Sequence, residues 1–110
     1  MSKIIFLVKK EIFCFDLERL LYITSEGRIA RFHSFDITKE FYMKLDEVME
    51  LLPSCYLRCH QRCIVNMNYI EVFGVKDITL ADGTVLNISR SRYDEAKKIF
   101  LEYIKETEEI

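Results

Sequence analysis

Long basic and amide side chains gather in three acid-free stretches of the sequence. Residues 56–70 hold Arg58 and Arg62, with His60, Gln61, Asn66 and Asn68 beside them, and carry a local charge of +2. Residues 84–92 hold Arg90 and Arg92 next to Ser89 and Ser91, again +2. Residues 27–35 hold Arg28 and Arg31, a third +2. Arg reaches guanine O6 and N7 with two donors, and Gln or Asn pairs with adenine N6 and N7. A Ser-Arg-Ser-Arg run at a strand-to-helix junction offers hydroxyl, guanidinium and backbone N–H groups to phosphate. Base and phosphate recognition is therefore one chemistry open to these stretches. The plain alternative is that they are scattered surface arginines, with Asn66 or Ser89 merely closing a turn.

The cysteines offer a second chemistry. Cys55, Cys59 and Cys63 lie at i, i+4 and i+8 with His60 among them. A zinc site needs closer pairs and a partner pair elsewhere, and the only other histidine is His33. In a strand–loop–strand the three thiols would not converge, so buried small hydrophobes is the favoured reading and no metal is assigned. Arg58, His60 and Arg62 beside Cys59 and Cys63 would lower a thiol pKa, which keeps a redox role for that pair open. No third orienting group accompanies a Cys–His pair, so no catalytic residue is assigned and the chain is not read as an enzyme. A redox-sensing or protein-interaction module around Cys55, Cys59 and Cys63 is the alternative to nucleic-acid binding.

Short strands must position these residues. Runs 4–8 and 11–15 read as a hairpin, followed by strands at 20–24 and 29–35 around a turn at 25–28 in which Gly27 is free to take positive φ. Residues 39–43 are extended and lead into a helix over 45–52. There Leu45, Val48, Met49 and Leu52 form one apolar stripe, and Pro53 ends it. Strands at 56–59 and 64–66 bracket the polar loop His60-Gln61-Arg62, and further strands fall at 69–73, 77–80 and 85–88. Asp82-Gly83 is the signal of a type I′ hairpin turn. Ser89 or Ser91 caps a final helix whose inner face is Tyr93, Ala96, Phe100, Tyr103 and Ile104. Its outer acids leave residues 102–110 at −3, and Tyr103, Ile104 and Ile110 among them offer a surface to a protein partner.

Size and composition bound these choices. The chain has 110 residues, half of them hydrophobic, which makes one domain over 1–110 with a core of its own. With 3 Gly and 1 Pro it is neither collagen-like nor low-complexity. There is no phosphate-binding glycine motif and no βαβ alternation. Residues 4–8 are too short for a secretory core, and no run approaches a membrane span, so a cytoplasmic location with reduced thiols is expected. The net charge of −2 counts, taken alone, against a generic nucleic-acid binder.

Residues 56–70 resemble the R-x-H-x-x-x-x-V-N-x-x-x-I signature of the LytTR-type DNA-binding domain, carried here by Arg58, His60, Val65, Asn66 and Ile70. Three more segments agree in order. Residues 21–27 are similar to the family's strand and turn ending S-x-G, residues 41–47 to F-Y-G-K-L-D-E, and residues 80–90 to L-x-D-G-x-x-L-x-I-S-R. The chain departs from the pattern at Met43, where glycine is common, and at Cys63.

The resemblance implies a mainly β domain of short-stranded small sheets with a short central helix and a C-terminal helix. It implies a bacterial transcriptional regulator that enters successive major grooves of duplex DNA with loops. Base readout maps on Arg28, Gln61 and Arg90, or on Arg92 with a different gap. Phosphate contacts map on Lys44, Arg62, Ser89 and, less directly, Arg58. The family pattern adds promoter DNA with repeated sites, a homodimer on that DNA and no cofactor. Most members act in two-component systems as response regulators with a receiver domain. No receiver domain lies within these 110 residues, and the Met1-Ser2-Lys3 start reads as that of a standalone regulator.

Overall fold

The computed structural model describes residues 3–8 and 10–107; Met1, Ser2, Lys9, Glu108, Glu109 and Ile110 lie outside them. Strands β1 (Lys3–Val8) and β2 (Glu11–Asp16) pair as a separate two-stranded hairpin. A five-stranded antiparallel sheet follows in the order β5-β4-β3-β7-β6. It is built from β3 (Leu20–Glu26), β4 (Ile29–Ser34), β5 (Thr38–Tyr42), β6 (Tyr56–His60) and β7 (Cys63–Asn66). A three-stranded sheet joins β8 (Ile70–Phe73), β9 (Asp77–Leu80) and β10 (Val85–Asn87). Helix α1 (Leu45–Leu51) sits between β5 and β6, and α2 (Tyr93–Thr107) closes the chain.

The centre of the large sheet is covered on both faces. On one side Leu20, Ile23, Phe32, Tyr56 and Ile64 pack with Ile4 and Phe15 of the hairpin and with Leu45 and Val48 of α1. On the other, Leu21, Leu57, Cys59, Cys63 and Val65 pack with Ile78, Leu80 and Leu86 of the small sheet and Ala96 of α2. Strand β7 is accordingly buried along its whole length. That is why its sequence is a continuous apolar run and not an alternating one. At its end Asn66 is the buried polar side chain among the described residues. Its Nδ2 donates to the Leu20 carbonyl at 2.9 Å, and its Oδ1 accepts from the Asn68 N–H at 3.0 Å.

Local rules set the ends of the elements. Leu52 is extended, at φ −91° and ψ 149°, as the residue before a proline must be, so α1 stops one residue earlier than its apolar stripe. The Asp82-Gly83 turn differs from the type I′ expectation. Gly83 N–H donates to the Leu80 carbonyl at 2.9 Å, so the central turn residues are Ala81 and Asp82, and Gly83 follows at φ 92°. Asp82 Oδ1 caps the turn by accepting from Thr84 N–H at 3.0 Å. Ser89 occupies the cap position of a 3₁₀ turn (Arg90–Arg92) that runs into α2, but its hydroxyl makes no capping bond. The expected Ser89 cap is not made; the Arg92 N–H donates to the Ser89 carbonyl at 3.1 Å as the first bond of the 3₁₀ turn itself. Tyr103 is half-buried on the second core and donates to Asn68 Oδ1.

Replacing Asn66 by Ala strands the Leu20 carbonyl in the interior and removes the acceptor of the Asn68 N–H. The variant should lose about 2–3 kcal/mol of stability in urea unfolding. A loss under about 0.5 kcal/mol would mean that water replaces the amide freely.

Candidate nucleic-acid interface

The β6–β7 hairpin is the hub of the site. His60 pairs with Cys63 across the strands, which leaves a two-residue turn, Gln61-Arg62. Four backbone groups of that turn are bonded from outside the strand ladder. Arg58 Nε donates to the His60 carbonyl at 3.0 Å, and its Nη2 donates to the Gln61 carbonyl. Arg62 N–H donates to His60 Nδ1 at 3.1 Å. The Arg62 carbonyl accepts from Ser25 N–H at 3.0 Å. The side chains of Gln61 and Arg62 are left exposed on a fixed backbone.

Two of these bonds tie the hub to the other loops. The Ser25 link fixes the end of β3, two residues before Gly27, which turns the chain at φ 62° and presents exposed Arg28. On the opposite side, the register of β6 slips between Arg58 and His60, so Cys59 sits in a bulge. Its carbonyl accepts from Ser89 N–H at 3.0 Å, which brings the Arg90–Arg92 turn alongside.

Three depressions join into one groove across these loops. The first, about 360 Å³, is lined by Arg28, Tyr42, Lys44 and Glu47. The second, about 310 Å³, continues past Gly27, Lys44, Asp46, Gln61 and Arg62. The third, about 320 Å³, ends at Gln61, His60, Ser89 and Arg92. The structure thus brings together Arg28, Lys44, Gln61, Arg62, Ser89 and Arg92. Arg90 is not in this groove; it lines a separate depression of about 630 Å³ with Lys76, Asn87 and Tyr93. The Ser89 hydroxyl is buried without a hydrogen-bond partner at the groove's edge.

Folding redistributes the charge counted along the chain. Arg31 is bonded by both Glu26 and Glu40, its cross-strand neighbours, so it adds nothing to the surface field. Arg58, with a side chain only 15% exposed, pairs with Asp46 at 2.7 Å. That contact holds the Asp46 carboxyl below its ordinary range, chiefly through the hydrogen bond from Arg58. It also neutralises the acid that lies in the middle of the groove. Among the described residues, Arg28, Lys44, Arg62, Arg90 and Arg92 take part in no ion pair.

The sequence did not single out Tyr42 or Asp46. Tyr42 OH accepts from Arg28 Nη1 at 3.4 Å and supports the guanidinium beside the first turn. The alternation of β5 carries that signal: Phe41 points inward, so Tyr42 faces out next to Ile29 and the turn. Met43, where the family pattern has glycine, packs its side chain on the first core.

The thiols divide between the two cores. Cys55 borders the first, where burial pushes its pKa up. Cys59 and Cys63 share the second, where Cys59 Sγ donates to the Cys63 carbonyl at 3.8 Å, so the three thiols do not converge, as the strand–loop–strand reading expects. The bulge at Cys59 turns both side chains inward. Neither has the solvent access that a sensor thiol uses. Among the described residues, no group of His, Cys, Asp and Glu is arranged to hold a metal ion.

The fold is thus a small β domain whose exposed basic and amide side chains ride on tight turns. Residues 10–101 match the profile of the LytTR family, described as the LytTr DNA-binding domain, and the chain belongs to that family. The fold also matches a solved LytTr DNA-binding domain, from a Bacillus cereus protein described as a methyl-accepting/DNA response regulator. The TM-score is 0.74 at 19% identity, over 90% of this chain and 96% of that one. No curated protein matches the chain.

Two outcomes follow from this geometry. The Asp46–Arg58 pair contributes stability above the ordinary carboxyl value of 3.8 and loses it as acid protonates Asp46 below that value. The stability difference between the wild type and Asp46→Asn should therefore be full at neutral pH and vanish in acid. Alkylation of the native protein should label exposed Cys14 first and Cys59 and Cys63 only on unfolding. Equal labelling rates in native buffer would show that the second core opens readily.

Proposed function

We propose that this domain is a transcriptional regulator acting in the cytoplasm, which reads duplex promoter DNA in the major groove with its turns. Arg28, Gln61 and Arg92 are the base-reading side chains. Lys44 and Arg62 meet the phosphates between them, while Ser89, whose hydroxyl is buried, positions the Arg92 turn through its N–H bond to the Cys59 carbonyl. Arg90 lies outside the common groove and, with Lys76, serves flanking phosphate. Arg58 acts as a positioning residue: its guanidinium fixes the reading turn from behind. One observation carries this reading: the Gln61 carbonyl and both backbone groups of Arg62 are bonded while both side chains stay exposed.

The mechanism is preorganisation. A two-residue turn closed by backbone bonds loses little further entropy when it enters a groove. Its long side chains are then the only groups to be ordered. With few unpaired cations, phosphate attraction is modest, and affinity rests on base contacts and on paired occupancy of repeated sites by two copies.

Selection from random duplex DNA at low salt should enrich one repeated motif; no enrichment would overturn the proposal. Ala at Arg28, Gln61 or Arg92 should each cost about 1–3 kcal/mol and relax preference at one position. Ala at Arg62 or Lys44 should weaken all sequences alike and shallow the salt slope by about one. If Arg90→Ala relaxes a base preference and Arg92→Ala does not, the third contact belongs to Arg90.

A further inference from the structure

The β8–β9 turn, the end of β10 and the start of α2 enclose the depression of about 630 Å³ that lies outside the reading groove. Local structure fixes its walls. Gly74 N–H donates to the Asp77 carbonyl at 2.8 Å and closes a turn with Val75 and Lys76 at its centre. A side chain at position 74 would bring its Cβ within 2.8 Å of that carbonyl, so glycine permits the closure. Ile88 N–H donates to the Lys76 carbonyl at 2.9 Å and ties the turn to the end of β10. On the α2 side, the Tyr93 ring is flanked by Phe73 at 6.1 Å and by the Lys97 ammonium 5.8 Å from its centre.

The lining has two kinds of chemistry. Val75, 77% exposed, forms an apolar wall with Ile88 and Tyr93. Lys76 and Arg90 border the same space, and neither takes part in an ion pair among the described residues. Asp94 is the acid of the lining, so two cations less one acid leave a balance of +1. The part of the reading groove nearest to it, around His60, Ser89 and Arg92, is lined by polar and charged side chains and has no such wall. A depression of this volume, with apolar walls and a few converging polar groups, has the form of a small-molecule site.

We propose that this depression binds a small amphipathic carboxylate, with a flat apolar body and a single acid group. The body lies against Val75, Ile88 and Tyr93, where removal from water favours it. The carboxylate accepts from the Arg90 guanidinium, with the Lys76 ammonium as a second donor. The balance of +1 matches one negative charge, and Asp94 penalises a dianion. Acetate or inorganic phosphate would use the cations and leave the apolar wall in water. Arg90 belongs to the same 3₁₀ turn as Arg92, so occupancy reaches the reading surface. A bound carboxylate takes Arg90 and Lys76 away from flanking phosphate and lowers duplex affinity. This consequence rests on the DNA-binding reading; the site does not.

Titration of the isotope-labelled full chain with naphthoate, followed by amide NMR shifts without DNA, tests the site. Shifts are expected at Val75, Lys76, Ile88 and Tyr93, saturating with a Kd of about 1 mM, the scale for a ligand of that size. Naphthalenemethanol, which has the body without the charge, should bind about threefold more weakly or worse, and acetate should not saturate at about 10 mM. Lys76→Ala and Arg90→Ala should each weaken naphthoate about threefold and Val75→Glu about tenfold. Lys39→Ala, which removes a cation elsewhere, should leave it unchanged. All four positions are exposed, so the core is kept in each variant. Shifts that map elsewhere, an alcohol that binds as tightly as the acid, or Val75→Glu binding as the wild type does each overturns the proposal. In a duplex titration, about 10 mM naphthoate should weaken wild-type binding about two- to fivefold against the same concentration of acetate, and Arg90→Ala should remove the difference. No difference in the wild type overturns the coupling. If the wild type binds no duplex at all, the DNA reading falls and the shift map stands by itself.

Discussion

Because the five-stranded sheet carries a core on each face at β7, that strand has no solvent side on which to put a polar group. Strand β7 shows the constraint most strongly: Cys63, Ile64, Val65 and Asn66 are all buried. Asn66 is tolerated because its amide and carbonyl are both bonded, to Leu20 and Asn68. A one-residue slip of this strand would exchange the two cores' residues and strand that amide, so the register is fixed. The turn that precedes β7 inherits that rigidity. The fixed geometry of the Gln61-Arg62 turn is thus a by-product of packing several residues away.

The second determinant is the role of Arg58. Its guanidinium reaches the His60 and Gln61 carbonyls and the Asp46 carboxylate at once. Lysine has no planar fork and could not serve those directions together. The same contact cancels the acid in the groove, so a single residue shapes the reading turn and removes a repulsive charge from it. The Cys59 bulge completes the arrangement. Without the extra residue, its carbonyl would belong to the ladder and could not accept from Ser89.

Much of this was legible in the sequence. Periodicity gave α1 and α2, Pro53 gave the end of α1, and the collinear motifs gave the family. Three features were not legible, and each is non-local. Arg31 looked free because its partners Glu26 and Glu40 lie outside the acid-free window, one across a hairpin and one on the next strand. Asp82-Gly83 signalled a two-residue turn, but register in the small sheet moved the turn back to Ala81-Asp82. Cys59 and Cys63 meet because of a bulge, which no spacing rule announces. The choice between Arg90 and Arg92 was open for a related reason: in a 3₁₀ turn the two point to different sides, and only the bond from Ser89 to Cys59 decides which side faces the groove.

The net charge of −2 takes on meaning in this frame. Neither the whole-chain balance nor the three local +2 windows describes the field at the groove. Ion pairs take Arg31 and Arg58 out of it, and the acids of α2 stand on a helix packed against the second core. What remains is a short line of unpaired cations, Arg28, Lys44, Arg62 and Arg92, interrupted by an uncharged amide at Gln61. A line that short can release few counterions, so its attraction for any duplex phosphate is modest. On the proposed reading that is an advantage, because discrimination depends on the ratio of specific to non-specific affinity. The corresponding cost is low affinity for a single site, which paired occupancy of repeated sites would offset.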